Sequence, residues 1–210
     1  MPNHCSNYLT VVGDPKELSE FVKVSSNPVN ESGETSYSIY KNNYPCPQEL
    51  QEVTANFTKK PDMIAKYGVS DWYEWCLHNW GTKWGDYDTD LSYYEEGETM
   101  AQFYYTTAWD PGIQGLITIS KEYPKLVFVV SYEEGGCELV GSVGVANGDL
   151  LSDVEGKFPD FPCDEDGEPD YDQMDEYHES VNDVRDRCEG QVIYGLSDDI
   201  RKLFKTAIKG

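Results

Sequence analysis

Leu126-Val127-Phe128-Val129-Val130-Ser131-Tyr132 is an almost unbroken apolar run, followed by Glu133-Glu134-Gly135-Gly136 and then Cys137-Glu138-Leu139-Val140-Gly141-Ser142-Val143-Gly144-Val145. A short, valine-rich run without alternation is the pattern of a central β-strand. The Glu-Glu-Gly-Gly stretch reads as a turn, with residues 137–145 returning as a hairpin partner. Upstream, residues 100–107 form another strand candidate. Asp110-Pro111 then joins an N-capping acid to a proline suited to the first helical turn. Ile113, Leu116 and Ile117 fall on one face of the helix that follows.

The same grammar recurs toward the start. Residues 7–12 read as a strand ended by Gly13, and Asp14-Pro15-Lys16-Glu17 opens a helix with Leu18, Phe21 and Val22 on its apolar face. Residues 25–35 are rich in Ser, Asn and Gly and read as a loop. The alternation over residues 36–40 suggests a second strand, and Tyr44-Pro45-Cys46-Pro47 cannot continue a central one because proline has no amide hydrogen. Ser70 and Asp71 open a helix bearing Trp72, Tyr73, Trp75, Cys76, Leu77 and Trp80, apolar around most of its circumference and so expected to be buried. The order of elements predicts an α+β fold. A ferredoxin-like sandwich, an antiparallel or mixed sheet with helices on one face, fits it better than a doubly wound parallel sheet.

At 210 residues, with five Trp, sixteen Tyr and seven Phe, the chain is long and aromatic enough to bury a core. Its charge is the unusual quantity: 39 acids against 16 bases, a formal −23. Duplex DNA carries one charge per roughly 1.7 Å, so this matches roughly 39 Å of duplex. A folded chain of this length is about 40–45 Å across, so its charge per length approaches that of nucleic acid. Direct nucleic-acid binding is disfavoured, because phosphate contacts require Lys and Arg. The six cysteines show no C-x-x-C spacing, which with three His argues against a structural zinc site and for reduced thiols in a cytoplasm. No basic segment with an apolar run opens the chain and no apolar stretch approaches ~20 residues, so neither a signal peptide nor a membrane span is expected.

The charge is uneven. Residues 149–189 hold sixteen acids against Lys157, Arg185 and Arg187, a local net of −13. The organisation read from this is a ferredoxin-like core over 1–146, an acidic, loop-rich segment over 147–190, and a C-terminal amphipathic helix over 191–210 docked on the core. That helix is capped by Ser197-Asp198-Asp199 and carries Ile200, Leu203, Phe204 and Ile208 on one stripe. Lys202, Lys205 and Lys209 lie toward its end, where the helix dipole favours cations.

Three stretches resemble the YubB-type ferredoxin-like family: Met1-Pro2-Asn3-His4-Cys5-Ser6-Asn7, then Tyr67-Gly68 with Asp71-Trp72-Tyr73-Glu74-Trp75 and Asn79-Trp80-Gly81-Thr82-Lys83-Trp84, and finally Thr107-Ala108-Trp109-Asp110-Pro111 with Tyr132-Glu133-Glu134-Gly135. The resemblance spans residues 1–146. The Asn-Trp-Gly-Thr-Lys-Trp element is its most specific part, and Gly112 departs from the second proline common in the family. The resemblance implies a protein carried by phages or conjugative plasmids, of a family whose function is mostly unassigned. The acidic segment lies outside it and reads as an addition.

Several sites suggest themselves. Aromatics at helical spacing are core residues first, but Trp80, Lys83 and Trp84 could also stack and hold a small nucleotide. His4 or His78 with a cysteine lacks any nucleophile motif, and two structural histidines are expected instead. An EF-hand register on Gly167 puts Asp164 and Asp166 at positions 3 and 5, but Pro162 and Gln173 at positions 1 and 12, so the motif fails. With 39 acids, carboxylate pairs carry no information. No catalytic residue, metal or cofactor is expected.

What stands out is the acidic segment: Asp164, Glu165, Asp166, Glu168, Asp170, Asp172, Asp175 and Glu176, with Tyr171 and Tyr177 interleaved as aromatic anchors. The expectation is an accessory protein that binds and inhibits a host defence protein, of anti-CRISPR or anti-restriction type. Its acidic surface would imitate nucleic acid toward a basic channel. The alternative is a protein that sequesters or cleaves a signalling nucleotide.

Overall fold

The structure is a computed structural model that describes residues 3–29, 33–55 and 58–207. Met1 and Pro2 of the opening motif, residues 30–32 of the expected loop, and Ile208 and Lys209 of the terminal helix lie outside the described residues.

Among the described residues six strands form one antiparallel sheet. They are β1 (His4–Gly13), β2 (Tyr87–Tyr93), β3 (Met100–Ala108), β4 (Leu126–Glu134), β5 (Leu139–Ala146) and β6 (Asp149–Glu155), in the order β2-β3-β1-β4-β5-β6. The helices are α1 (Pro15–Ser25), α2 (Ile39–Asn43), α3 (Gln48–Gln51), α4 (Pro61–Tyr67), α5 (Trp72–Asn79), α6 (Ile113–Ser120), α7 (Met174–Gly195) and α8 (Asp198–Ala207). The path β1-α1-β2-β3-α6-β4 is the ferredoxin-like βαββαβ unit. Helices α2 to α5 are inserted before its second strand, and β5 and β6 extend the sheet beyond β4.

Side chains alternate across a strand, and both faces of this sheet are covered. On one face Leu9, Val11, Phe103, Phe128 and Val130 pack against Leu18, Phe21, Leu116 and Ile119. The Phe21 ring meets Phe103, Tyr123 and Phe128 edge-on, with centroids 5.8, 5.2 and 5.3 Å away. Gly115 lets α6 approach closely, since a Cβ there would lie 2.3 Å from Tyr40 Cε1. On the other face Val12, Met100, Val127 and Val129 are closed off by Val192 of α7, Leu196 just after it and Phe204 of α8. This double burial is why residues 126–132 read as a continuous apolar run.

The α+β ferredoxin-like fold is the expected one, with helices α1 to α6 over one face. The departures are local. Residues 36–40 make no strand: Tyr37 forms a single bridge with Ser26, and α2 begins at Ile39. The reason lies far away in sequence, because the Asp86 carboxylate accepts from Ile39 N and Tyr40 N, both at 2.8 Å, and fixes them as a helix start. Asp110 does not cap α6. Its Oδ1 accepts from Gly112 N at 2.8 Å, and the helix starts at Ile113 after Gly112 at φ 75°. Helix α5 is less buried than its composition suggests, with Trp75 and Cys76 inside and Leu77 exposed. The segment expected to be loop-rich contributes strand β6 and most of the 22-residue α7. No helix of the described residues is long and apolar enough to cross a membrane.

Candidate functional site: an aromatic groove and an acidic face

The three stretches that carry the family resemblance meet at one end of the sheet. Trp109 N donates to Asn3 O at 3.1 Å, and Asn7 Nδ2 donates to Thr107 Oγ1 at 2.9 Å. Thr82 grips β3 twice: its Oγ1 donates to Ala108 O at 2.9 Å and accepts from Ala108 N at 3.2 Å. Gly81 and Gly85 bracket this staple at φ 79° and 68°, the left-handed region that glycine adopts without strain. The short loop between them is thereby fixed, and it presents Lys83 and Trp84.

Beside that loop runs a groove of about 390 Å³. Trp80 is its structural base: the residue is 3% exposed, its indole Nε1 donates to Tyr44 O at 2.9 Å, and its ring meets Trp75 edge-on at 5.3 Å. Trp72 and Trp84, both half-buried, form the rest of the aromatic lining. Lys83 Nζ lies 4.5 Å from the Trp84 ring centroid and 5.8 Å from that of Tyr73. Lys41 reaches the groove from α2. The thiols of Cys46 and Cys76 line it as well. Burial pushes Cys46 up to about 11 and Cys76 up to about 12, which favours the neutral thiol of each at pH 7. The expected ligand residues Trp80, Lys83 and Trp84 are thus brought together. Lys41 and Cys46 were missed, and the rigid Tyr44-Pro45-Cys46-Pro47 turn was the only local sign that this stretch could wall a site.

The acidic residues occupy a segment ordered by its own carboxylates. Asp164 Oδ1 accepts from Asp166 N at 2.9 Å and Glu168 N at 3.0 Å, closing a turn whose stems meet at the Cys163–Pro169 bridge. Asp170 accepts from Asp172 N at 3.1 Å and Gln173 Nε2 at 2.6 Å, capping a 3-10 turn (Tyr171–Gln173) that leads into α7. Asp164 and Asp170 therefore shape the backbone. Glu165, Asp166, Glu168, Asp172, Asp175 and Glu176 are exposed, and among the described residues none of these eight acids has an ion-pair partner. Tyr171 is 74% exposed. Tyr177 is half-buried instead, its ring edge-on to Phe161 at 5.3 Å and near Phe158 and Val181 in a small satellite core.

Among the described residues no histidine hydrogen-bonds to a thiol. His4 Nδ1 lies 2.8 Å from Tyr87 Oη, and His78 is exposed on α5. Among the described residues no group of three or more His, Cys, Asp and Glu side chains is arranged to hold a metal ion.

No curated protein matches the chain. A crystal structure of protein Api92 from Yersinia pseudotuberculosis is similar at a TM-score of 0.47 and 10% identity, over 77% of this chain and 100% of that one. The family match starts later and ends later than the resemblance read from the motifs. It takes in residues 147–180 of the acidic segment. Residues 79–180, from the end of α5 into α7, match the family model of the ferredoxin-like domain in Api92-like protein.

Proposed function

We propose that this protein is an accessory protein of a phage or plasmid that binds and inhibits a host antiviral defence protein, of the CRISPR-effector or restriction type, in the bacterial cytoplasm. The observation that supports this reading is the acidic face: eight carboxylates that, among the described residues, have no ion-pair partner, carried on a segment held in shape by hydrogen bonds that two of them accept. Carboxylates left unpaired on an ordered scaffold are available to a basic surface, and their summed field steers encounter with one. Tyr171 stands among them as an exposed aromatic, the residue type that interfaces use as an anchor. The phage or plasmid setting is supported by the resemblance of the motifs that converge on β1, β3 and the 81–85 loop.

The test is a charge reversal that spares Asp164 and Asp170, which hold the backbone. The quadruple variant Glu165→Lys, Asp166→Lys, Glu168→Lys and Asp172→Lys is expected to melt like the parent and to lose capture of a basic, nucleic-acid-handling protein from a bacterial host. Capture by the parent is expected to weaken as salt rises, because exposed charges are screened within about 8 Å at 0.15 M. A variant that captures and inhibits as well as the parent sinks the proposal.

A further inference from the structure

The aromatic groove is a second feature, distinct from the acidic face and on the other side of the sheet. We infer that it binds a small anionic aromatic ligand of mononucleotide class, with the ring against Trp72 and Trp84 and the phosphate between Lys41 and Lys83.

Four observations converge on this. The first is size, since about 390 Å³ lies within the range of small-molecule sites, roughly 300–1,000 Å³. The second is the lining: three of the chain's five tryptophans contribute to it, and bases stack on aromatic rings whatever their sequence. The third is charge. In a chain with 39 acids and 16 bases, Lys41 and Lys83 converge on one groove, and among the described residues neither forms an ion pair. The neighbouring carboxylates are already engaged: Asp71 accepts from Tyr73 N and Glu74 N, and Glu74 accepts from Ser70 N at 2.7 Å. The fourth is rigidity. The Thr82 staple holds Lys83 and Trp84 before any ligand arrives, which lowers the ordering cost of binding. The ammonium of Lys83 rests on Trp84 and Tyr73 with no ion-pair partner among the described residues, so a phosphate would complete its coordination rather than displace one of them.

Chemistry is not part of the inference. The thiols in the groove are neutral and buried, and among the described residues no histidine hydrogen-bonds to either of them.

The measurement is quenching of tryptophan fluorescence on titration with 5′-AMP, GMP and UMP, with adenosine and ribose 5-phosphate as the ring-only and phosphate-only arms. Saturable quenching by at least one nucleotide is expected. The double variant Lys41→Met, Lys83→Met is expected to weaken it roughly tenfold or more while keeping the parent's melting temperature. Adenosine and ribose 5-phosphate should each bind at least about tenfold more weakly than the nucleotide. No saturable quenching up to about 1 mM overturns the inference. Unchanged affinity in the double variant, or adenosine or ribose 5-phosphate binding as tightly as the nucleotide, overturns it equally. If the double variant melts early, Trp84→Leu replaces it with the same expected loss. The acidic-face variant should bind nucleotide like the parent, so the two proposals fail independently.

Discussion

Asp86 shows how one side chain can decide the structure of a distant segment. Its carboxylate is 1% exposed and meets four donors: Ile39 N and Tyr40 N at 2.8 Å, Ser38 Oγ at 3.1 Å and Thr89 Oγ1 at 2.6 Å. Removing it would leave buried backbone N–H groups without acceptors, each costing about 1–3 kcal/mol. Asp86→Ala is therefore expected to lower unfolding free energy by about 3 kcal/mol or more, and Asp86→Asn, which keeps one acceptor oxygen, by roughly half of that. Urea denaturation measures both, and a loss below about 1 kcal/mol for the alanine variant would show the carboxylate to be dispensable. The same residue explains a misreading. Nothing in Ser36-Tyr37-Ser38-Ile39-Tyr40 announces a helix, because its cap comes from 46 or more positions later. Asp14 and Asp71, by contrast, cap helices immediately beside them and were legible at sight: Asp14 Oδ1 accepts from Glu17 N, and Asp71 Oδ1 from Tyr73 N and Glu74 N.

At the scale of elements, α7 carries two opposed faces. Val181, Cys188 and Val192 point into the protein, while Asp175, Glu176, Glu179, Asp183 and Asp186 are exposed. Between these faces lies a polar seam. Arg185 stacks 4.0 Å over Tyr8 and pairs with Glu133 at 3.1 Å, and Glu189 faces Ser131. Burial, and then the nearby Asp186, raise the Glu189 carboxyl above the ordinary glutamate range, against the pull of Arg185 and the Ser131 hydroxyl. A carboxyl whose folded-state value is raised holds its proton longer in the folded state than in the unfolded chain. Stability then falls as pH rises through the window between the unfolded and folded values. Glu189→Gln is accordingly expected to be more stable than the parent at pH 7, with the difference shrinking as pH falls through that window and gone below about 4.3. Denaturation midpoints across pH check it, and a variant weaker than the parent at pH 7 would show that the charge is needed. The apolar stripe of α7 was present in the sequence, but acids on either side drew the reading toward a solvated loop. Strand β6 was hidden in the same way, as Asp149, Asp153 and Glu155 lie on an outermost strand where charge is tolerated. Strand β2, at the other edge, alternates half-buried with exposed residues and is broken by register shifts, so its signal is weak. The groove was legible only in part: Trp80, Lys83 and Trp84 are near neighbours in the chain, whereas Lys41 reaches them only through folding.

For the molecule as a whole, the continuous run at residues 126–132 already required two covering layers, although only one was expected. The second layer, α7 and α8, closes over Val12, Met100, Val127 and Val129. A fragment ending at residue 146 would leave that face open, and contiguous apolar surface of this kind drives association. The fragment is expected to aggregate or to bind ANS strongly, as read by light scattering and dye fluorescence. If it stayed monomeric with a cooperative melt, the C-terminal helices would be an appendage. Strand order has a further consequence, for the sequence of events during synthesis. Strand β1 lies between β3 and β4, so His4–Gly13 finds its first partner at Met100–Ala108 and its second at Leu126–Glu134. At about 5–20 residues per second, the ribosome needs roughly 5–20 s to make the chain between β1 and its first neighbour. Through that interval Leu9, Val11 and Val12 have no sheet to join, and the nascent chain must be kept from other hydrophobic surfaces until β3 emerges. Synonymous changes that slow translation between β1 and β3 would lengthen this exposed period without altering a single contact in the finished protein.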